Sequence, residues 1–196
     1  MKGAIFDLDG TLLDTDSLWE DIDRAFLARR GIAMPSDYPG AVSSMSFRAA
    51  AEYTRARFSL PDAPDALMAE WNEMSRYAYG NTVRLYPGCR EYLEEMRRRG
   101  IRLAVATDLD RGIAEAALLS NGILGLFDGI VTTAEAGEDK RSPKVFIMAS
   151  GLLGLSCGEC IVYEDLAEAE GVAMSAGFMT MDAASFHSEC LCLLSC

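Results

Sequence analysis

The sequence predicts a doubly wound α/β core, a parallel sheet flanked by helices, interrupted by one all-helical segment. Short apolar runs end at acids or threonines: Gly3 to Phe6 before Asp7, 101–106 before Thr107, Ile130-Val131 before Thr132, 160–163 before Glu164, and a weaker run, 177–181, before Asp182. Runs without polar alternation read as strands covered on both faces. Helical patterns separate them, which is the signature of a parallel sheet. Residues from about Thr15 to Tyr86 contain no comparable run. The expected division is therefore a core of 1–14 and 87–196 with a helical domain of 15–86.

After the first strand, the segment 17–30 places Leu18, Ile22, Ala25 and Phe26 on one side and stops at Gly31. Ser46 to Phe58 reads as a second helix. A third opens at Pro61-Asp62 and runs towards Tyr79, with Leu67, Trp71 and Met74 inward. Trp19 and Tyr53 read as core of this domain rather than as ligand platforms. Pro87-Gly88 marks the return to the sheet. The helix from Cys89 to Arg99 turns Tyr92, Leu93 and Met96 to one face; its acids come early and its arginines late, as the helix dipole favours. Asp110 caps a helix through Leu119, Pro143 opens one to about Leu153, and Leu166 to Ala176 forms the last.

The 196 residues are 50% hydrophobic and 24% charged, enough to bury a proper core without disulfide staples. Eighteen Lys and Arg stand against 30 Asp and Glu, a net charge of −12. Such a field repels nucleic acid and anionic membranes but attracts divalent cations. No apolar run approaches the roughly 18 residues of a membrane helix. The N-terminal run meets Asp7 too early for a signal-peptide core, so a cytoplasmic protein, monomer or weak homodimer, is expected. Of the six cysteines, Cys157 and Cys160 have CxxC spacing, which admits a zinc or redox site. The plainer reading makes Cys160 the start of a buried strand and the rest small apolar fillers. Cys89 and the C-terminal Cys190, Cys192 and Cys196 suggest no chemistry.

The chemistry lies at strand ends. Ligands of open parallel sheets bind at the carboxyl edge of the strands, where Asp7, Thr107 and Asp165 should converge. Carboxylates gathered there need a cation, most simply Mg²⁺. The densest motif is Asp7-Leu8-Asp9-Gly10-Thr11. Asp7 and Asp9 are two apart, and Gly10 permits a turn that a Cβ would obstruct. Taken alone, Asp-Gly is a common turn.

This motif, together with Thr107, Lys140 and Tyr163-Glu164-Asp165 further along the chain, resembles the haloacid dehalogenase-like (HAD) hydrolase superfamily. Residues 1–14 and about 87–182 match its Rossmann-like core, and the insertion looks like the helical C1 cap of the β-phosphoglucomutase- and phosphoglycolate phosphatase-like members. The resemblance implies a Mg²⁺-dependent phosphatase acting on a small phosphorylated metabolite, a sugar phosphate or phosphoglycolate. Asp7 would be the nucleophile that forms an aspartyl-phosphate, and Asp9 the acid and base. Asp7, the backbone carbonyl of Asp9, and Asp165 would hold the ion, with Glu164 assisting directly or through water. Thr107 with the N–H of Asp108 would bind a phosphoryl oxygen. Lys140, with Lys144 as rival one turn on, would offset charge on the phosphoryl group. The chain departs from the family in carrying Leu166 after the two acids and Arg141 in the lysine loop. The dehalogenases lack the second acid of the motif, and the sugar-phosphate mutases carry a histidine at the position of Trp19. Phosphatase activity is what these differences leave, with a mutase or a phospholigand-binding protein without turnover as alternatives. Arg48 and Arg55 in the second inserted helix are candidate clamps for an anionic group, with a solvated helix face as the plainer reading of each.

Overall fold

The computed structural model describes residues 1–43 and 45–194. Cys196, one of the C-terminal thiols, lies outside the described residues. Five parallel strands form the central sheet: β1 (Gly3–Phe6), β4 (Arg102–Thr107), β5 (Gly129–Thr132), β6 (Cys160–Glu164) and β7 (Met179–Asp182), in the order β5-β4-β1-β6-β7. Two short strands, β2 (Leu13–Asp14) and β3 (Arg84–Leu85), pair antiparallel. The helices are α1 (Leu18–Ala28), α2 (Tyr38–Val42), α3 (Phe47–Phe58), α4 (Pro64–Asn81), α5 (Cys89–Arg98), α6 (Arg111–Ser120), α7 (Thr133–Ala136), α8 (Lys144–Leu152), α9 (Ala167–Ser175) and α10 (Ala183–Leu193). Two compact units result: 1–16 with 79–196, and 17–78.

In the first unit, the chain adds strands outward from β1 to β5, then returns to the other side of β1 for β6 and β7. That reversal puts the switch point between β1 and β6, where the carboxyl edge of an open sheet splays into a crevice. One face of the sheet buries Ile5, Ala104, Ala106 and Val162 under Val145, Phe146 and Ala149 of α8 and Ala169 and Ala173 of α9. On the other face, Phe6 stacks on Tyr163 with ring centroids 4.4 Å apart, and Phe186 of α10 closes on both at 5.6 and 5.0 Å. Each such buried ring contributes roughly 1.5–3 kcal/mol.

The structure corrects several expectations. β7 is an edge strand with only partial burial, so its run is not covered on both faces. The C-terminal segment after Asp182 is a helix, capped by the Asp182 side chain at 2.9 Å from the Ser185 N–H. Two residues each sufficed for β2 and β3, too short for a pattern to register. The second unit ends at Ala78 rather than 86, because β3 is tied to the sheet unit: the buried side chain of Asn121 accepts from the Leu85 N–H at 3.2 Å and donates to the Val83 carbonyl at 3.1 Å.

Within the helical unit, α4 starts at Pro64 rather than Pro61, with Leu67 and Trp71 buried and Met74 half-buried. The buried stripe of α1 is Leu18, Ile22, Phe26 and Leu27; Ala25 is exposed. Trp19 lies one residue off that stripe and is 48% exposed, so it is not core. Tyr53 is half-buried and accepts from Arg57 at 2.7 Å. Cys160 is buried at the start of β6, and Cys157 sits half-buried on a single turn before it. Cys89 and Cys190 are buried with their sulfurs 3.8 Å apart, packed as small apolar groups between α5 and α10.

Candidate active site

The register of the sheet builds the site. Phe6 pairs with Tyr163, and the Asp7 N–H bonds the Tyr163 carbonyl at 3.0 Å, so Asp7 and Glu164 leave neighbouring strands side by side. Both side chains continue the parity of Ile5 and Val162 and are buried. The chain then turns tightly: the N–H groups of Leu12 and Leu13 both bond the Leu8 carbonyl, at 2.9 and 2.8 Å. Gly10 makes that turn possible twice over. Its φ is +70°, and a Cβ there would lie 2.6 Å from Oδ2 of Asp165. The glycine thus lets the first loop approach the acid just past β6.

Carboxylate oxygens of Asp7, Glu164 and Asp165 lie within 4.8 Å of one another. The Lys140 ammonium enters from the loop before α8, bonding Asp7 and, at 2.8 Å, Glu164. Lys140 is buried, whereas Lys144 is exposed and pairs with Glu138 at 3.3 Å. Arg141, the added charge in this loop, is exposed and taken up by Asp139 at 2.5 Å. Leu166, which follows the two acids, is exposed.

The electrostatics stem from burial. Desolvation pushes the Asp7 carboxyl up to about 6 although the Lys140 charge opposes it. Desolvation and then the charge of Asp7 push Glu164 up to about 8, with Lys140 opposing. Burial acts against the charge on Lys140, but the two carboxylates outweigh it and hold the ammonium. The Lys140 ammonium bonds two of the three acids, Asp7 and Glu164. The donors of the cluster are hard oxygens, two of the three acids are buried, and the set fits Mg²⁺.

Asp9 stands apart from this set. Its Oδ1 accepts from the Tyr79 hydroxyl at 2.8 Å. Burial raises its carboxyl above the ordinary range, with the Tyr79 and Thr15 hydroxyls opposing. Tyr79 is a site residue that sequence reasoning missed: it comes 70 positions later, at the end of a helix read as part of the insertion. Thr107 is buried at the end of β4, and its Oγ1 accepts the Leu109 N–H at 3.1 Å, leaving its own proton free to donate. Asp108 is exposed; with Lys140 and Leu166 it lines a cavity of about 280 Å³. Arg48 is exposed and paired with Asp65 at 2.5 Å, so its charge is already engaged on the helical unit.

Residues 4–181 match the family described as haloacid dehalogenase-like hydrolase. The fructose-1-phosphate phosphatase YqaB of Escherichia coli is 29% identical over 181 residues, covering 92% of this chain and 95% of that protein. Protein CbbY of Rhodobacter capsulatus is 27% identical, covering 90% and 82%. The chloroplastic SUPPRESSOR OF QUENCHING 1 of Arabidopsis thaliana is 26% identical over 97% of this chain, which spans 18% of that longer protein. Among solved structures, a β-phosphoglucomutase-like protein of Thermotoga maritima superposes with a TM-score of 0.84 at 24% identity, covering 91% and 82% of the two chains. A family match over nearly the whole chain makes this protein a haloacid dehalogenase-like hydrolase, with the fold of the β-phosphoglucomutase and phosphoglycolate phosphatase group.

Proposed function

We propose that this chain, a hydrolase of phosphoric monoesters, is a Mg²⁺-dependent phosphatase of a small phosphorylated metabolite that works through an aspartyl-phosphate on Asp7. The observation that carries the reading is the division of labour between the two acids of the first loop. Asp7 faces Glu164, Asp165 and Lys140, while Asp9 is held away by Tyr79. A nucleophile needs its carboxylate ionised, and a general acid needs its proton.

Asp7, Glu164 and Asp165 would hold Mg²⁺, with the backbone carbonyl of Asp9 as a further donor. Bound there, such an ion would supply positive charge to the phosphoryl oxygens. An Asp7 oxygen attacks phosphorus, and the bond to the leaving oxygen breaks as that oxygen takes the proton of Asp9. Asp9, now a carboxylate, takes a proton from the water that attacks the phosphoryl group, and the P–O bond to Asp7 breaks. Lys140 offsets the charge on the phosphoryl oxygens, and the Thr107 hydroxyl with the Asp108 N–H binds one of them. Asp9 suits the proton-transfer role because burial raises its carboxyl and the Lys140 ammonium bonds Asp7 rather than Asp9.

The names of the Escherichia coli fructose-1-phosphate phosphatase and of a 24% identical phosphorylated carbohydrates phosphatase of Thermotoga maritima support sugar phosphates as the first class to try. Purified protein should release phosphate from p-nitrophenyl phosphate with Mg²⁺ and lose the activity with EDTA or on Asp7→Asn. A set of sugar phosphates and phosphoglycolate would then rank the substrates. Turnover that survives Asp7→Asn would refute the mechanism, and no turnover of any ester with Mg²⁺ would refute the function.

A further inference from the structure

The helical unit contains a cavity of about 520 Å³, a volume suited to a small molecule. Trp19, Asp23, Tyr38, Phe47 and Trp71 line it. Trp19 meets Phe47 edge-on at 5.8 Å between centroids, and Phe47 meets Trp71 at 5.6 Å. Trp71 is 3% exposed and its indole N–H is buried without a partner among the described residues. A buried donor left unpaired is costly and marks a place where an acceptor belongs. The cavity also has an acid without a cation. Glu20 on its rim is paired with Arg24, and Arg57, 5.8 Å from the Tyr38 ring, is engaged by Asp37 at 2.8 Å. No cation among the described residues pairs with Asp23, and burial alone pushes its carboxyl up to about 6.

We propose that this cavity binds a small organic ammonium ion that also carries a hydroxyl or carbonyl oxygen. Aromatic faces attract such a cation, most strongly where water is excluded. The Asp23 carboxylate supplies the counter-charge, and the Trp71 N–H donates to the oxygen. A purely apolar occupant would leave both groups unmet. An anion would face Asp23 and Glu20 together.

The sequence has two tryptophans, and both line the cavity, so intrinsic fluorescence reads its occupancy without reference to hydrolysis. The probe is choline, titrated against its uncharged isostere in which a tert-butyl group replaces the trimethylammonium. Choline should give a saturable change and bind about tenfold more tightly than the isostere; Asp23→Asn should erase about that factor. The same titration should be unchanged in Asp7→Asn, which separates this site from the hydrolytic one. Equal binding of choline and isostere would overturn the proposal in favour of a merely apolar cavity. An absence of any saturable change would overturn it outright. Should Asp23→Asn fail to fold, the comparison of the two probes on the unaltered protein decides.

Discussion

Replacing Lys140 with Met separates a buried charge network from a surface ion pair. Its ammonium bonds Asp7 and Glu164, and the three side chains are 7%, 4% and 0% exposed. Removing one partner of a buried ion pair strands the others and costs about 3–5 kcal/mol. A domain of this size melts about 2–4 °C lower per kcal/mol, so Lys140→Met should lower Tm by roughly 6–20 °C at pH 8 in EDTA. The deficit should shrink as pH falls. Burial already holds Glu164 at about 8 and Asp7 at about 6 with the lysine present; without it both rise. The folded variant then binds more protons than the unfolded chain, and its relative stability grows on acidification. Lys144→Met is the control. Lys144 is exposed against an exposed Glu138, and its loss should fall within the scatter of surface substitutions. Scanning calorimetry at pH 5 and pH 8 measures both variants. Equal shifts for the two lysines, or a Lys140 deficit that does not change with pH, would refute the account of the cluster.

Tyr79→Phe removes a hydroxyl that donates to the Asp9 carboxylate. A bond to a charged group is worth about 1.5–3 kcal/mol, so the limb of the pH–rate profile that reports Asp9 should move up by about one to two units, with kcat/KM against pH as the measurement. Asn121→Ala strands the Leu85 N–H and the Val83 carbonyl. About 1–3 kcal/mol should be lost, read by denaturant melts, with the amide of Leu85 exchanging faster. Asp23→Asn acts through pH. The Asp23 carboxyl sits higher in the folded protein than in the unfolded chain, so the folded state binds the extra proton and stability falls as pH rises from about 4 through about 6. Asparagine should flatten that limb and raise Tm at pH 7.

The sheet and its acids were legible because the signals are local. All five apolar runs are strands, and each stops at or just before an acid or a threonine. Asp7 and Asp9 sit in one motif, and Glu164-Asp165 reach them because adjacent parallel strands end in register. Tyr79 was not legible, since a tyrosine at a helix end carries no mark of what it faces across 70 residues. Arg48 looked like a clamp because an exposed arginine and a paired one read alike; its partner Asp65 comes 17 residues later, on another helix. Trp19 was misread for a geometric reason, a single residue's rotation off the buried stripe of α1. The helix α10 carries too little alternation to announce itself. Phe186 turns inward onto the aromatic face of β1 and β6, and Cys190 onto Cys89 of α5.

The central claim is that Asp7 carries the phosphoryl group during turnover. Acid-quenched mass spectrometry of the protein caught during hydrolysis of p-nitrophenyl phosphate with Mg²⁺ tests it most directly. The account predicts one PO₃ group on the peptide that contains Asp7, enriched in Asp9→Asn, where release is slowed, and absent from Asp7→Asn. Phosphate release from a protein that never carries the group on that peptide would contradict it.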